Sequence, residues 1–137
     1  MLNINLDKIT DLDFKAKEAY KTLRTNVQFC GNDVKIISLT SCVPNEGKSM
    51  VSFNLAISMA ETGKKVLFID ADLRKSVLIG RYKINKAIKG LTQYLSGVEQ
   101  LDDVRYSTNV KNMDLILSGP VPPNPAELLN NEKFTEL

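Results

Sequence analysis

Histidine is absent from the 137-residue sequence, and this absence removes several kinds of chemistry at once. Catalysis by Ser-His-Asp or Cys-His groups needs an imidazole base, so both are excluded. Metal sites built on histidine ligands are excluded for the same reason. Any reaction of this chain must therefore use Asp, Glu, Lys, Arg, Ser or Tyr side chains.

Cysteine is scarce, and membrane signals are lacking. Cys30 and Cys42 have neither the spacing of a metal site nor the density of a disulfide framework, which predicts a reducing compartment. No apolar run reaches the roughly 20 residues that span a bilayer. The N-terminus lacks the basic start and apolar run of a signal peptide. We therefore expect a cytoplasmic location without direct membrane insertion.

Length and composition predict one globular domain over residues 1–137, with 43% hydrophobic and 25% charged residues. The net charge of +2 is too small to predict a nucleic-acid partner. Basic residues are concentrated in residues 74–89, and no acidic residue lies between Asp72 and Glu99. We interpret this segment as a solvated face rather than a site for an acidic or phosphorylated partner.

The first half of the chain predicts a strand, a loop, a helix and a second strand. The apolar run over residues 34–41 predicts a central strand. Residues 48–62 predict a helix that Gly63 ends, and residues 64–72 predict a second buried strand. This order makes a βαβ unit, which predicts an α/β fold with a parallel sheet.

Further elements are predicted around this unit. They are an amphipathic helix over residues 11–29 that ends near Gly31, two short helices around Gly97, a strand over residues 113–119, and a helix that begins at Asn124. The last has a local signature, because Asn124 suits the N-cap and Pro125 suits the first helical position. Glu127 stands where a capping box has its acid.

A phosphate-binding loop is predicted at "CVPNEGKS", between the first strand and its helix. Gly47, Lys48 and Ser49 match the end of the pattern G-x-x-x-x-G-K-[ST], in which backbone amides and a lysine hold phosphates. Cys42 replaces the first glycine of that pattern. Asn45 is the best remaining candidate for a positive φ, since asparagine tolerates that region. The alternative is an ordinary turn with a chance Gly-Lys-Ser.

Two carboxylates, Asp70 and Asp72, follow the second strand in "VLFIDADLR". The carboxyl ends of parallel strands are where open sheets bind ligands. In an extended strand these two side chains point to opposite faces, so only one faces a metal unless the chain has already turned. The alternative is that they cap the next segment.

Four motifs together carry a family resemblance: "EAYKTLRTN", "SCVPNEGKS", "VLFIDADLR" and "GPVPPNPAELL". In this order they resemble the cytoplasmic bacterial protein-tyrosine kinases of capsule and exopolysaccharide synthesis. The resemblance covers the chain from about residue 14 onward. It implies a P-loop NTPase-like parallel sheet with flanking helices, and ATP and Mg²⁺ as ligands. In that family the phosphate loop also lacks its first glycine.

The resemblance implies roles for individual residues. Lys48 would hold the β- and γ-phosphates, and Ser49 would bind Mg²⁺. Asp70 would lie near the metal and the tyrosine hydroxyl, and Asp72 would help to place the metal or the acceptor. The residues implied to hold ATP form one run: Val43, Pro44, Asn45, Glu46, Gly47, Lys48, Ser49 and Met50.

The predicted helix within residues 11–30 resembles the family's self-association motif Glu-x-x-Arg-x-x-Arg. Its matching residues are Glu18, Lys21 and Arg24, with lysine in place of the first arginine. A spacing of three keeps them near one helix face. The resemblance implies that this face joins copies of the chain in a homo-oligomer. Lysine lacks the two-pronged carboxylate contact of arginine, so assembly is expected to be weaker. The alternative is a solvated face with one ion pair.

Two features of the family are not found in the sequence: a hydrophobic strand ending in Asp-x-x-Pro, which supports Mg²⁺, and a tyrosine-rich C-terminal cluster. We therefore expect the N-terminal part of a kinase domain, incomplete at its C-terminus, that phosphorylates tyrosine poorly by itself. The resemblance also implies protein tyrosine acceptors and a membrane-anchored polysaccharide co-polymerase as activator. Such a partner would recruit the chain to the inner face of the membrane.

Two other functions stay open. Partitioning or positioning ATPases share the fold, but they carry a lysine early in the loop where this chain has Val43. A non-catalytic fragment that assembles through the Glu18 helix is the third possibility.

Overall fold

Four strands form one sheet in the computed structural model, which describes residues 2–6, 9, 11–84 and 88–137. The strands are β1 (Leu2–Ile4), β2 (Val66–Ile69), β3 (Arg105–Thr108) and β4 (Met113–Ile116). Their order across the sheet is β1-β3-β4-β2. β1 is parallel to β3 and β2 is parallel to β4, whereas β3 runs antiparallel to β4. The α/β class is thus confirmed, but the sheet is mixed rather than wholly parallel.

Seven helices accompany the sheet in the described residues. They are α1 (Phe14–Phe29), α2 (Lys48–Glu61), α3 (Leu78–Arg81), α4 (Leu91–Leu95), α5 (Leu101–Val104), α6 (Pro125–Leu129) and α7 (Glu132–Glu136). No helix of this described part is long and apolar enough to cross a bilayer. Part of the predicted basic face, residues 85–87, lies outside the described residues.

One face of the sheet packs against α2. Phe53 of α2 is fully buried, and its ring meets Phe68 of β2 edge-on at 5.2 Å between centroids. Tyr82, just after α3, stacks on Phe53 at 4.6 Å. Met113 and Leu115 of β4 complete this cluster. The helix thus rests on the β2–β4 pair and holds its first residue, Lys48, at one end of that pair.

The other face of the sheet packs against the short helices. Ile116 of β4 lies in a second buried cluster with Leu91 and Leu95 of α4, Val104 of α5 and Leu128 of α6. Alternate residues of β4 enter the two clusters, as the two-residue period of a strand requires. β4 is therefore an interior strand that contributes to both clusters, and the strand predicted over residues 113–119 is confirmed over Met113–Ile116.

A glycine contact joins α4 to the end of β4. The amides of Leu91 and Thr92 donate to the carbonyls of Leu117 and Ser118, at 2.7 and 3.0 Å. A Cβ atom on Gly90 would lie only 2.4 Å from the backbone nitrogen of Gly119. Only glycine permits this close approach of two backbone segments.

The predicted central strand over residues 34–41 is wrong in this structure. These residues are all described, and none of them belongs to a strand. Val34, Ile36 and Ile37 are 45%, 92% and 43% exposed. β2 lies at the edge of the sheet, and its Leu67 is 39% exposed. The prediction that residues 64–72 form a buried strand is therefore also wrong.

Local sequence signals predict the helix ends more accurately than they predict the strands. α1 ends at Phe29, and Gly31 follows with a φ of +134°; α2 ends at Glu61, and Gly63 follows with +86°. The two short helices around Gly97 are α4 and α5.

Pro125 is the first residue of α6, as predicted. The side chain of Asn124 does not cap this helix and instead donates to Glu127. A second helix, α7, follows with Asn131 as its N-cap. The side chain of Asn131 accepts a hydrogen bond from the Phe134 amide at 3.1 Å.

The exposure of residues 34–41 can be tested by matched substitutions of isoleucine. Ile36→Ala is expected to change the free energy of unfolding by less than about 0.5 kcal/mol, as for an exposed site. Ile116→Ala, at a fully buried position, is expected to cost about 2–5 kcal/mol. Urea denaturation followed by circular dichroism measures both. Similar losses for the two variants would show that residues 34–41 are packed after all.

Candidate active site

The phosphate loop leads directly into α2. Asn45 has a φ of +64° and Gly47 a φ of +82°, and Gly47 is the N-cap residue before Lys48. The amide of Val51 donates to the carbonyl of Gly47 at 2.9 Å and closes the first turn. The prediction of a positive φ at Asn45 is therefore confirmed. Two left-handed residues in the loop let successive backbone amides turn toward a common point.

A carboxylate within the loop accepts a hydrogen bond from one of the loop's backbone amides. The backbone N–H of Cys42 donates to Oε2 of Glu46 at 3.1 Å. The loop therefore directs an N–H group to an anionic oxygen, which is the interaction that a phosphate requires. Val43 and Met50 are exposed, so the loop is open to solvent. The residues present fit an anionic ligand such as a phosphate group.

The two predicted carboxylates lie just beyond the end of β2. The amide of Asp70 donates to the carbonyl of Ile116 at 2.9 Å, which extends the β2–β4 ladder by one bond. The amide of Asp72 then donates to Oδ1 of Asp70 at 3.2 Å, and the amide of Leu73 donates to the carbonyl of Ala71. The chain has therefore turned, and the opposite-face geometry of an extended strand does not apply.

Four side chains meet at this end of the sheet, and we call them the carboxyl-edge cluster: Lys48, Asp70, Asp72 and Ser76. Lys48 Nζ and Asp72 Oδ2 are 3.9 Å apart, with both side chains about one-third exposed (36% and 32%). The Ser76 hydroxyl donates to Oδ2 of Asp70. All three predicted catalytic residues are thus brought together by the fold.

Burial raises the pKa of Asp70 above its ordinary value. The side chain is buried, and loss of hydration is the largest cause of the shift. The hydrogen bonds from Ser76 and from the Asp72 amide oppose it, the Asp72 charge adds to it, and the Lys48 charge opposes it. The fold therefore disfavours the charged form of this carboxyl group relative to a solvated one.

The described side chains of the carboxyl-edge cluster offer oxygen atoms as metal ligands. Ser49 is the second residue of α2, next to Lys48. In the described part of the chain, no three His, Cys, Asp or Glu side chains are grouped so that they could hold a metal. Mg²⁺ prefers oxygen ligands and is usually held by one or two carboxylates together with phosphates and water. The side-chain oxygens of Asp70 and Ser49 are of the ligand type that Mg²⁺ prefers.

A surface cleft lies away from the carboxyl-edge cluster. It has a volume of about 410 Å³ and is lined by Ala60, Glu61 and Gly63 at the far end of α2, and by Val110. Lys48 is at the opposite end of the same helix, so this cleft is not the candidate site. The carboxyl-edge cluster is identified by its chemistry and not by its depth.

The predicted interface residues are divided by the fold. Glu18 and Lys21 form an exposed ion pair at 3.1 Å on α1. Arg24 turns to α2, where its Nη1 donates to the carbonyl oxygen of Ser58 at 2.8 Å and to Oγ of Ser58 at 3.1 Å. No residue of α1, all of which is described, is buried. Self-association through Glu18, Lys21 and Arg24 stays a prediction.

Two contacts of the site had no clear signal in the sequence. The Ser76 hydroxyl reaches Asp70 across six residues, and nothing about a serine in a basic segment marks it for that role. Glu46 lies in the run implied to hold ATP, but the loop pattern does not predict its bond to the Cys42 amide. Both contacts depend on how the loop and the turn fold.

Comparison with known proteins supports the resemblance seen in the motifs. A family model described as an AAA domain matches residues 34–129. The chain is 47% identical over 123 residues to the tyrosine-protein kinase CpsD of Streptococcus agalactiae, covering 90% of this chain and 54% of that protein. It is 40% identical over 135 residues to the tyrosine-protein kinase YwqD of Bacillus subtilis (strain 168), covering 97% and 56%.

The fold is similar to that of a solved kinase domain. The kinase domain of the Escherichia coli tyrosine kinase ETK matches with a TM-score of 0.85 at 34% identity, covering 99% of this chain and 54% of that one. The chain spans about half the length of the curated relatives that it matches. The predicted P-loop NTPase-like class and the resemblance to bacterial tyrosine kinases are both confirmed.

The division of the interface residues predicts unequal effects on stability. Arg24→Ala removes a charged donor from two hydrogen bonds to α2, so it is expected to lower the free energy of unfolding by about 1–2 kcal/mol. Lys21→Ala breaks only an exposed ion pair and is expected to change it by less than about 0.5 kcal/mol. Urea denaturation of the two variants measures both values. Equal effects would mean that Arg24 does not join α1 to α2.

Proposed function

We propose, from the premise that this chain belongs to the AAA domain family, that it carries the ATP-binding part of a protein-tyrosine kinase. The observation that carries this proposal is the carboxyl-edge cluster. Lys48, at the start of α2, lies 3.9 Å from Asp72, and Asp72 adjoins the buried Asp70. A lysine for phosphates and a carboxylate for proton transfer are the groups that phosphoryl transfer requires.

The nucleotide would be held by residues 43–50. Backbone amides of the loop and the N-terminus of α2 would bind the phosphates, and Lys48 would contact the β- and γ-phosphates. Ser49 and Asp70 would hold Mg²⁺. Bound Mg²⁺ supplies positive charge that offsets the negative charge of the phosphates.

The reaction that fits this cluster is attack of a tyrosine hydroxyl on the γ-phosphate of ATP. The phenol has a pKa near 10 and is a poor nucleophile at neutral pH. Asp70 would accept its proton as the phenolic oxygen bonds to the γ-phosphorus and the bond from that phosphorus to the bridging oxygen breaks. Lys48 would stabilise the charge that develops, Asp72 would help to place the acceptor, and ADP would leave.

The wider context of this activity is proposed from the motif resemblance, and the relatives' identity as tyrosine-protein kinases agrees with it. The acceptors would be protein tyrosines, and the process would be capsular or exopolysaccharide synthesis. A membrane-anchored polysaccharide co-polymerase would activate the chain at the inner face of the membrane. Self-association through α1 would bring one copy's tyrosines to another copy's site.

Nucleotide binding is the first test of this proposal. Lys48→Ala is expected to weaken binding of a fluorescent ADP analogue by about 10- to 100-fold, because a charged contact to phosphate contributes about 1.5–3 kcal/mol. The control is Lys64→Ala, which removes an exposed lysine just after Gly63, beyond the other end of α2. This control is expected to leave the affinity unchanged. A wild-type chain that binds no nucleotide would support the non-catalytic alternative instead.

An ATP-hydrolysing switch is the second candidate function, and the match to an AAA domain favours it. The two functions differ in their product. We expect phosphotyrosine after incubation with ATP and Mg²⁺, formed slowly because the sequence contains no Asp-x-x-Pro motif. Asp70→Asn is expected to abolish this signal, since asparagine cannot accept the proton. Free phosphate released without any phosphotyrosine would favour the switch. Mass spectrometry and a phosphate-release assay measure the two products.

A further inference from the structure

Ser76 is a polar residue of the carboxyl-edge cluster that neither the motifs nor the proposed reaction uses. Its hydroxyl donates to Oδ2 of Asp70, while Oδ1 of the same carboxylate accepts the amide of Asp72 at 3.2 Å. Each oxygen of Asp70 therefore has one donor supplied by the chain. A carboxylate has about four acceptor positions, so both oxygens retain a free lone pair for another ligand.

The path of the chain around Ser76 explains why the hydroxyl is so placed. Leu73 is buried in the cluster on one face of the sheet, and Leu78 is buried in the cluster on the other face. The segment between them therefore crosses the edge of the sheet where β2 ends. The amide of Lys75 donates to Oδ1 of Asp72 at 3.0 Å and fixes the turn midway. Ser76 is thus held against Asp70 by packing on both sides.

Asp70 needs such a partner because its backbone is fixed but its carboxylate is not. The amide bond to Ile116 places the main chain of Asp70 in the ladder. This bond does not involve the side chain, and the Asp72 amide contacts only one of the carboxylate oxygens. The Ser76 hydroxyl contacts the other oxygen, so the two bonds together define the plane of the carboxylate.

We propose that Ser76 is a positioning residue that orients the carboxylate of Asp70 for the divalent cation accompanying the nucleotide. The proposal rests on the proposed function, since it assumes that the loop binds a nucleotide together with a metal. Groups that hold a metal ligand in place typically contribute about 10- to 100-fold to metal affinity. Ser76 therefore sets how strongly Mg²⁺ increases nucleotide affinity, rather than the affinity of the loop for the phosphates themselves.

The test measures the affinity of the 137-residue chain for a fluorescent ADP analogue with Mg²⁺ and with EDTA in its place. The quantity of interest is the ratio of these two affinities. Ser76→Ala is expected to reduce the ratio by about tenfold and to leave the affinity in EDTA unchanged. Ser76→Thr retains a hydroxyl on the same carbon and is expected to keep the wild-type ratio.

Ser96→Ala is the matched control. The Ser96 hydroxyl donates to the carbonyl of Gln93 at 3.2 Å at the end of α4, outside the carboxyl-edge cluster. Its loss is expected to leave the ratio unchanged. Thermal melting of each variant, without ligand, reports any general loss of folding. A purely structural role for Ser76 would lower the melting temperature and both affinities together.

The outcomes separate failure of this inference from failure of the proposed function. If the wild-type chain binds the analogue, and Lys48→Ala binds it more weakly, the proposed nucleotide site stands. An unchanged or increased ratio in Ser76→Ala, or a wild-type ratio near one, then overturns the role of Ser76 alone. If the wild-type chain binds no nucleotide under either condition, the proposed function fails, and the inference fails with it.

Discussion

The hydrogen-bonded pairing of β2 with β4 is the constraint on which the candidate site depends. Ile69 lies opposite Ile116 in this parallel ladder, and the amide of Asp70 continues it with a bond of 2.9 Å to the Ile116 carbonyl. Leu115 and Ile116 are fully buried on opposite faces of β4, so this strand is held by both layers of the core. Asp70 is therefore anchored through its backbone, and its carboxylate is left available for the carboxyl-edge cluster.

Opposing electrostatic effects are balanced within that cluster. Burial of Asp70 disfavours its charged form, as does the neighbouring charge of Asp72. The Ser76 hydroxyl, the Asp72 amide and the Lys48 ammonium group favour it. The contact between Lys48 and Asp72 is about one-third exposed, so solvent screens it and it adds little to stability. Its importance lies in keeping a positive charge beside the carboxylates.

Residues 34–41 show the limit of reading strands from hydrophobic pattern. A run of valines and isoleucines favours extended backbone, but a strand exists only when a neighbour pairs with its amides and carbonyls. Ile36 is 92% exposed in this structure. The edge of the sheet is formed by β2 and not by residues 34–41. Conversely, the short polar sequence of β3 gave no strand signal, yet β3 pairs with both β1 and β4.

The sequence indicated three members of the candidate site but not how they are arranged. Lys48, Asp70 and Asp72 were identified from the loop pattern and from their position after a strand. Their proximity depends on the turn at Asp72, which the spacing of the two aspartates left undecided. Arg24 shows the same limit, since its place in a helical motif could not reveal that Ser58 of another helix accepts its hydrogen bonds.

The sequence by itself determined the features that depend on a few adjacent residues. The left-handed conformations of Asn45 and Gly63, the start of α6 at Pro125 and the glycine after α1 follow from local sterics and hydrogen bonding. The tertiary structure alone decided the mixed strand order, the edge position of β2 and the contact of Ser76 with Asp70. Such contacts form between segments that the packing of the two clusters brings together. The conformational preference of a short segment does not specify its partners that are distant in sequence.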